Sequence, residues 1–275
     1  MFKRINCENC QCSYDELDKE CPSCGTSNPF VEHKRFGGNA LIVPFWMQIV
    51  LFSVGWLGFQ ILGITISVIL LGTSLEGIKQ EAVLTFTAYG LLTVALVAIQ
   101  STQFKKYIKQ IKNWLAPILG IAGFVAIIIF NISYGVFLNM TGLAVEDNAN
   151  ESSVNSIITA YPLLSLLVVG ILGPLCEEIT YRVGFYGFFR RINKYLAYGL
   201  TILVFALIHF DFTCFTSGTF INELLNLPYY MAAAFAMCFA FEKAGFWGGF
   251  AVHATNNIFS VLMTLISSQL MIKLL

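Results

Sequence analysis

The sequence predicts an all-α polytopic membrane protein with about 7–8 transmembrane helices, preceded by a small zinc-ribbon domain. Charged residues make up only 12% of the 275 residues and hydrophobic residues 57%, with a mean hydropathy of +0.72. A soluble domain has about 25% charged residues. Long apolar segments follow one another from residue 44 onwards, and two closely spaced pairs of cysteines precede them. These three observations together predict the fold class.

The cysteine pairs lie in residues 1–30, as Cys7-x-x-Cys10 and Cys21-x-x-Cys24. Each pair lets two thiolates bind one tetrahedral metal from a tight turn, and two such turns complete a four-thiolate zinc site. About thirty residues cannot build a hydrophobic core, so zinc would stabilise the domain. A four-thiolate site is closed, which indicates a structural zinc. Two disulfides are the alternative, and a cytoplasmic location disfavours them.

The residues around the cysteines bear on the partner of this domain. The segment "ENCQCSYDELDKEC" is acidic, which argues against nucleic acid because phosphate binding needs basic side chains. A protein partner, or control of access to the membrane domain, is expected instead.

Seven hydrophobic segments follow a linker at residues 31–43, and each is long enough, or nearly so, to cross a bilayer. The fourth is too long for a simple crossing, so we expect it to tilt, to kink at Pro174 or to split. We divide the membrane part into N-terminal transmembrane helices, residues 44–113, and a core, residues 114–275. The segments are residues 44–72, 82–101, 114–138, 157–189, 195–213, 219–241 and 245–268.

Lysine and arginine in the connecting segments predict the orientation, because they are enriched in cytoplasmic loops. Basic residues lie before the first segment (Lys34 and Arg35), in "QFKKYIKQIK", in "RRINK" and at Lys243, all on one side. The opposite loop, "VEDNANE", has three acids and no base. We therefore expect a multi-pass protein of a bacterial plasma membrane, with the N-terminus and zinc ribbon in the cytoplasm.

Six polar or ionisable side chains interrupt the apolar segments, where such groups are costly and usually functional. At 1.5 Å per helical residue, those in three segments lie about 15 to 22 Å inward from the basic connections. Similar depth predicts one shared cavity. The six are Glu177, Glu178, Arg182, His209, His253 and Asn257.

Their spacing indicates which of these side chains can act together. Glu178 and Arg182, four residues apart, can pair on one helix face. Glu177 is left without this cation and can accept a proton from water. His253 and Asn257 also share a face and can donate hydrogen bonds to a developing oxyanion. Two histidines and a glutamate can alternatively bind a catalytic zinc. A structural ion pair, and histidines bonded to backbone carbonyls, are the simpler explanations.

Three short motifs carry a resemblance to a known family. "EEITYR" is EExxxR, "FALIH" is FxxxH and "HATNN" is HxxxN, in that order on successive apolar segments. This resembles the CPBP family of intramembrane proteases, the CAAX protease or bacteriocin-processing family that includes the Ras-converting enzymes. The resemblance covers residues 114–275 and leaves out the zinc ribbon. It implies hydrolysis of membrane-associated peptides or proteins within the lipid bilayer, from the cytoplasmic side.

The resemblance also implies a role for each motif residue. Glu177 matches the catalytic glutamate, and His209 its partner in activating water. His253 and Asn257 match the oxyanion pair. A glutamate mechanism without a catalytic metal is favoured over a metalloprotease, because HxxxN supplies only one good metal ligand. The supporting residues of the first motif are Glu178 and Arg182.

Two other functions remain open at this point. A catalytically silent immunity or scaffold protein would use the same cavity for binding and would tolerate Glu177→Gln. A transporter would show inverted repeats with paired broken helices, and the sequence shows none by inspection.

Overall fold

We describe a computed structural model in which the chain forms two compact units, Met1–Gly38 and Asn39–Leu275. Lys34, Arg35 and most of the predicted linker lie outside the described residues. The structure describes residues 4–15, 18, 20–28, 40–143 and 145–274, with side chains to residue 269.

The first unit is built on a short hairpin. Strands β1 (Arg4–Asn6) and β2 (Ser13–Asp15) pair antiparallel, with Ile5 opposite Tyr14. The Tyr14 side chain is buried with two of the cysteines. This small cluster contains few apolar side chains, in agreement with the expectation that a metal is needed for stability.

The second unit is helical, which confirms the predicted fold class. Six of its helices, α1, α2, α4, α6, α9 and α10, are long and apolar enough to cross a membrane, and α7 is a shorter apolar helix. The described residues thus contain six helices of spanning length. The shorter α7 lies where the sequence predicted a further crossing, residues 195–213. The helices are α1 (Phe45–Leu70), α2 (Ile78–Ile99), α3 (Phe104–Ile111), α4 (Leu115–Met140), α5 (Ala149–Ala160), α6 (Pro162–Arg190), α7 (Lys194–Leu207), α8 (Cys214–Ser217), α9 (Phe220–Ala244) and α10 (Phe246–Leu274).

The long fourth segment of the sequence is divided between α5 and α6. Two stretches inside α6 widen into π-helix, Val168–Leu172 and Glu178–Tyr186. The first lies directly before Pro174, which has no N–H to donate and whose ring crowds the preceding turn. The N–H of Gly173 accordingly reaches back to the carbonyl of Val168. Wide turns of this kind are frequent at functional sites.

Helix α1 packs closely against the second π-helical stretch. A Cβ added at Gly55 would lie 2.0 Å from Thr180 Oγ1, and one at Gly184 would lie 2.9 Å from the backbone nitrogen of Phe52. Only glycine fits such contacts. The N-terminal helices thereby hold in place the part of α6 that carries the predicted catalytic motif.

Candidate active site

A cavity of about 560 Å³ lies among the helices of the second unit. It is lined from α2, α4, α5, α6, α9, α10 and the turn after α7. Four of the six predicted site residues line it: Glu177, His209, His253 and Asn257. The predicted shared cavity is therefore present.

The other two predicted residues, Glu178 and Arg182, are fully buried and form an ion pair, with Arg182 Nη1 3.2 Å from Glu178 Oε1. His253 Nδ1 lies 2.9 Å from the same oxygen. The Arg182 guanidinium also stacks 4.2 Å from the Phe205 ring centroid, and its Nη2 donates to Met237 Sδ at 3.0 Å. A buried charge needs such partners to be stable.

The contact with Glu178 determines how His253 is protonated. An ionised carboxylate can only accept a hydrogen bond, so Nδ1 carries the proton. His253 Nε2 then lies 3.7 Å from Glu177 Oε2. The two adjacent glutamates thus lie at opposite nitrogens of one imidazole ring, one buried and one facing the cavity.

Glu177 has a partner that the sequence did not reveal. The Tyr89 hydroxyl, from α2, donates a hydrogen bond to Glu177 Oε1 at 2.9 Å. The Tyr89 ring packs against Phe59 of α1, with ring centroids 5.2 Å apart. Tyr89 lies outside all three motifs, and a tyrosine in an apolar helix is a weak signal, because its ring alone explains its presence.

His209 is held on three sides in the turn after α7. Its Nδ1 lies 2.8 Å from the Phe205 carbonyl oxygen, so Nδ1 carries the proton and Nε2 is the accepting nitrogen of the neutral ring. Its ring stacks on Tyr230 at 4.4 Å, and the Asn148 amide donates to its carbonyl oxygen at 3.1 Å. The simpler explanation from the sequence, a histidine that only bonds a backbone carbonyl, accounts for Nδ1 but not for Nε2.

Asn257 also has a structural contact. Its Nδ2 donates to the carbonyl oxygen of Val169 at 3.1 Å, inside the first π-helical stretch of α6. A side-chain amide has a second N–H, so this contact orients the amide and leaves one donor for another acceptor.

The cysteines of the first unit form a cluster that can hold a metal ion such as zinc. The Sγ atoms lie 3.5 Å apart in the pairs Cys7–Cys24 and Cys10–Cys21, and all four lie within 4.8 Å of one another. A tetrahedral zinc with bonds of about 2.3 Å would need sulfur atoms about 3.8 Å apart. Hydrogen bonds with Thr26 lower the pKa of Cys24 to about 6, which favours the thiolate that a metal binds.

The two cysteine turns have matching backbone geometry. The N–H of Gln11 donates to the Cys7 carbonyl, and that of Gly25 to the Cys21 carbonyl, both at 2.9 Å. Gln11 and Gly25 both have positive φ, 57° and 70°. Each turn therefore presents its two thiols in the same way, as a symmetric four-thiolate site requires.

Comparison with known proteins agrees with the motifs. A family model described as "Type II CAAX prenyl endopeptidase Rce1-like" matches residues 159–259. The chain is 33% identical over 124 residues to the UPF0177 protein YbdI of Lactococcus lactis, an alignment that spans 43% of this chain and 65% of that protein. It is 27% identical over 154 residues to "Putative membrane peptidase YdiL" of Bacillus subtilis, spanning 55% of this chain and 57% of that protein.

The chain therefore aligns with less than two thirds of the length of each of these relatives. No solved structure matches it. The matched family region contains all three motifs and all six predicted site residues. The predicted resemblance is thus confirmed: over residues 159–259 this multi-pass membrane protein is similar to the Rce1-like type II CAAX prenyl endopeptidases, a family of membrane peptidases.

Proposed function

We propose that the chain is an intramembrane endopeptidase that hydrolyses peptide bonds of membrane-associated peptides or proteins. One observation carries the proposal: Glu177, His209 and His253, from three separate helical segments, line one cavity. Hydrolysis in an apolar cavity needs a base, a group that orients it and oxyanion donors at fixed positions.

Glu177 is the general base in this proposal. Tyr89 occupies its Oε1, so Oε2, on the side of His253, is the oxygen that accepts a proton from water. Its side chain is 17% exposed, whereas that of Glu178 is fully buried. The accepting Nε2 of His209 is the second site that can bind this water.

His253 and Asn257 are the oxyanion donors. Donation from His253 Nε2 requires a second proton on the ring, and the two carboxylates at its nitrogens, Glu178 at 2.9 Å from Nδ1 and Glu177 at 3.7 Å from Nε2, face that positive charge. Arg182 in turn balances Glu178, so these two residues support the site and do not contact the substrate. The second N–H of Asn257 adds a neutral donor next to the imidazolium.

A glutamate mechanism is favoured over a catalytic metal. Among the residues that the structure describes, only the four cysteines bring three or more ligand atoms close enough to hold an ion. The cavity residues do not meet that spacing. Each of the four motif residues in the cavity instead has one hydrogen bond to a protein group, which orients it.

The four cysteines hold a structural zinc in this proposal, and the N-terminal ribbon, residues 1–30, binds a protein partner in the cytoplasm. Residues 31–43 link it to the N-terminal transmembrane helices, residues 44–113, and to the peptidase core, residues 114–275. The protein spans a bacterial plasma membrane several times.

The test compares wild type, Glu177→Gln and His209→Ala for cleavage of a library of membrane peptides in detergent. The proposal expects cleavage by wild type and none by either variant. Glu151→Gln, which makes the same change at an exposed carboxylate of the cavity mouth, is the matched control and should stay active. Equal cleavage by Glu177→Gln would refute the proposal.

Repeating the cleavage assay with a metal chelator distinguishes the glutamate mechanism from a catalytic metal. Activity that survives chelation supports the glutamate mechanism. Loss on chelation that zinc restores would support a catalytic metal, provided that Cys21→Ser, which disables the ribbon, remains active.

A further inference from the structure

The cavity has a mouth at one end of the second unit. Four lining residues, Glu146, Asp147, Asn150 and Glu151, lie in the loop after α4 and the first turn of α5, and all four are exposed. The lining residues at the other end of the cavity, among them His253 and Met237, are buried. Substrate and water can therefore enter from the end where α4 finishes and α5 begins.

The opposite end is closed by packed side chains. Tyr186, Phe241 and Phe246 belong to one buried core cluster there, and none is more than 3% exposed. The Glu242 carboxylate, also buried, accepts hydrogen bonds from the Tyr186 hydroxyl at 2.7 Å and from Arg190 at 2.8 to 3.1 Å. These contacts join α6 to α9 behind the catalytic residues and leave no cavity lining at that end.

The two ends of the helices differ sharply in charge. At the closed end, residues 105–112 carry four lysines, residues 190–194 carry two arginines and a lysine, and Lys243 lies in the last turn of α9. Within the described helices and their connections, the basic residues at the mouth end by chain position are Lys79 and Lys273. Acids dominate there instead: Glu76, Glu81, Glu146, Asp147, Glu151, Asp211 and Glu223.

Basic residues close to the ends of membrane spans are retained in the cytoplasm, and acids contribute little to orientation. The closed, basic end is therefore cytoplasmic. We infer that the cavity opens to the non-cytoplasmic side, so that substrate reaches Glu177 and His209 from outside. This is the reverse of the side that the family resemblance implies.

The substrate class follows, and this part rests on the proposed peptidase function. Substrates would be secreted or surface-attached peptides, or the outer ends of membrane helices. A lipid-modified tail on the cytoplasmic face does not fit, because it would have to pass the packed cluster around Tyr186 and Phe241. The side of access itself does not depend on catalysis.

Cysteine labelling in right-side-out bacterial spheroplasts tests the inference. Asn150→Cys places an exposed thiol at the mouth, and Lys109→Cys places one at the closed end, where the lysine is also exposed. The full-length parent chain, measured alongside, gives the background from native cysteines. A membrane-impermeant maleimide should label Asn150→Cys in intact spheroplasts, and Lys109→Cys only after permeabilisation.

The opposite pattern, with Lys109→Cys labelled in intact spheroplasts and Asn150→Cys protected, would overturn the inference. Glu146→Cys and Lys105→Cys form a second pair at the same two ends, in case either first variant fails to accumulate. Labelling needs no turnover, so a failed peptidase assay would leave this result intact. Conversely, if the wild type cleaves peptides but the labelling pattern is reversed, the peptidase function would stand and a cavity open to the non-cytoplasmic side would be rejected.

Discussion

The hydrogen bond from Tyr89 to Glu177 can be removed by a single substitution. Tyr89→Phe deletes the hydroxyl that lies 2.9 Å from Glu177 Oε1 and keeps the ring that packs on Phe59. A hydrogen bond to a charged group contributes about 1.5–3 kcal/mol. A change of about 1.4 kcal/mol in the activation free energy changes a rate tenfold. If this bond holds the base in its reactive position, kcat should fall about 10- to 150-fold with little change in KM.

The assay is cleavage of a substrate peptide by purified protein in lipid nanodiscs, with thermal unfolding measured on the same samples. Tyr198→Phe is the matched control, because its hydroxyl donates to the Cys238 carbonyl, at 3.4 Å, outside the cavity lining. It should keep wild-type kcat. Wild-type kcat in folded Tyr89→Phe, or equal losses in both variants, would refute the reasoning.

Three further predictions test the buried ion pair, the packing against it and the cysteine cluster. Glu178→Gln leaves the buried Arg182 without its counter-charge, and we expect a loss of about 3–5 kcal/mol of stability by denaturant unfolding; an unchanged midpoint would contradict the pairing. Gly249→Ala would place a Cβ 2.5 Å from Glu178 Oε2 and should lower both stability and turnover, whereas Gly199→Ala, with open space around it, should lower neither. Cys21→Ser should abolish the binding of about one zinc per chain, measured by elemental analysis, and make the N-terminal unit protease-sensitive; full zinc retention would argue against the four-thiolate site.

Most of the fold could be predicted from the sequence because hydropathy reports burial in lipid directly. The predicted segments 44–72 and 219–241 differ from α1 and α9 by three residues or fewer at each end. The segment 157–189 was harder to divide, since α5 and α6 are joined by a short break at Tyr161 inside a continuous apolar run. Hydropathy cannot locate a break that leaves composition unchanged.

Contacts in the site could be predicted where the two residues lie close together in the sequence. Glu178 and Arg182 lie one helical turn apart, and their pairing follows from helix geometry. The contact between Tyr89 and Glu177 joins residues 88 positions apart and depends on how α2 packs against α6. The π-helical stretches depend on Pro174 and on tertiary packing, so the periodicity of the sequence does not predict them.

The proposed side of access agrees with the depth of the motif residues. The motif residues were placed about 15 to 22 Å from the basic connections by counting helical residues. A bilayer core is about 30 Å thick, so most of them lie nearer to the acidic side. The cavity mouth at Glu146 and Glu151 lies at that acidic side. The family resemblance implies the cytoplasmic side, and the cysteine-labelling experiment decides between the two.

The central claim is that water, activated by Glu177, hydrolyses a peptide bond in this cavity. Mass spectrometry of peptides cleaved in oxygen-18 water tests it most directly. Wild type should produce new carboxyl termini that each carry one oxygen-18 atom, and Glu177→Gln should produce none. New termini formed equally by Glu177→Gln, or no cleavage by folded wild type across the peptide library, would contradict the account.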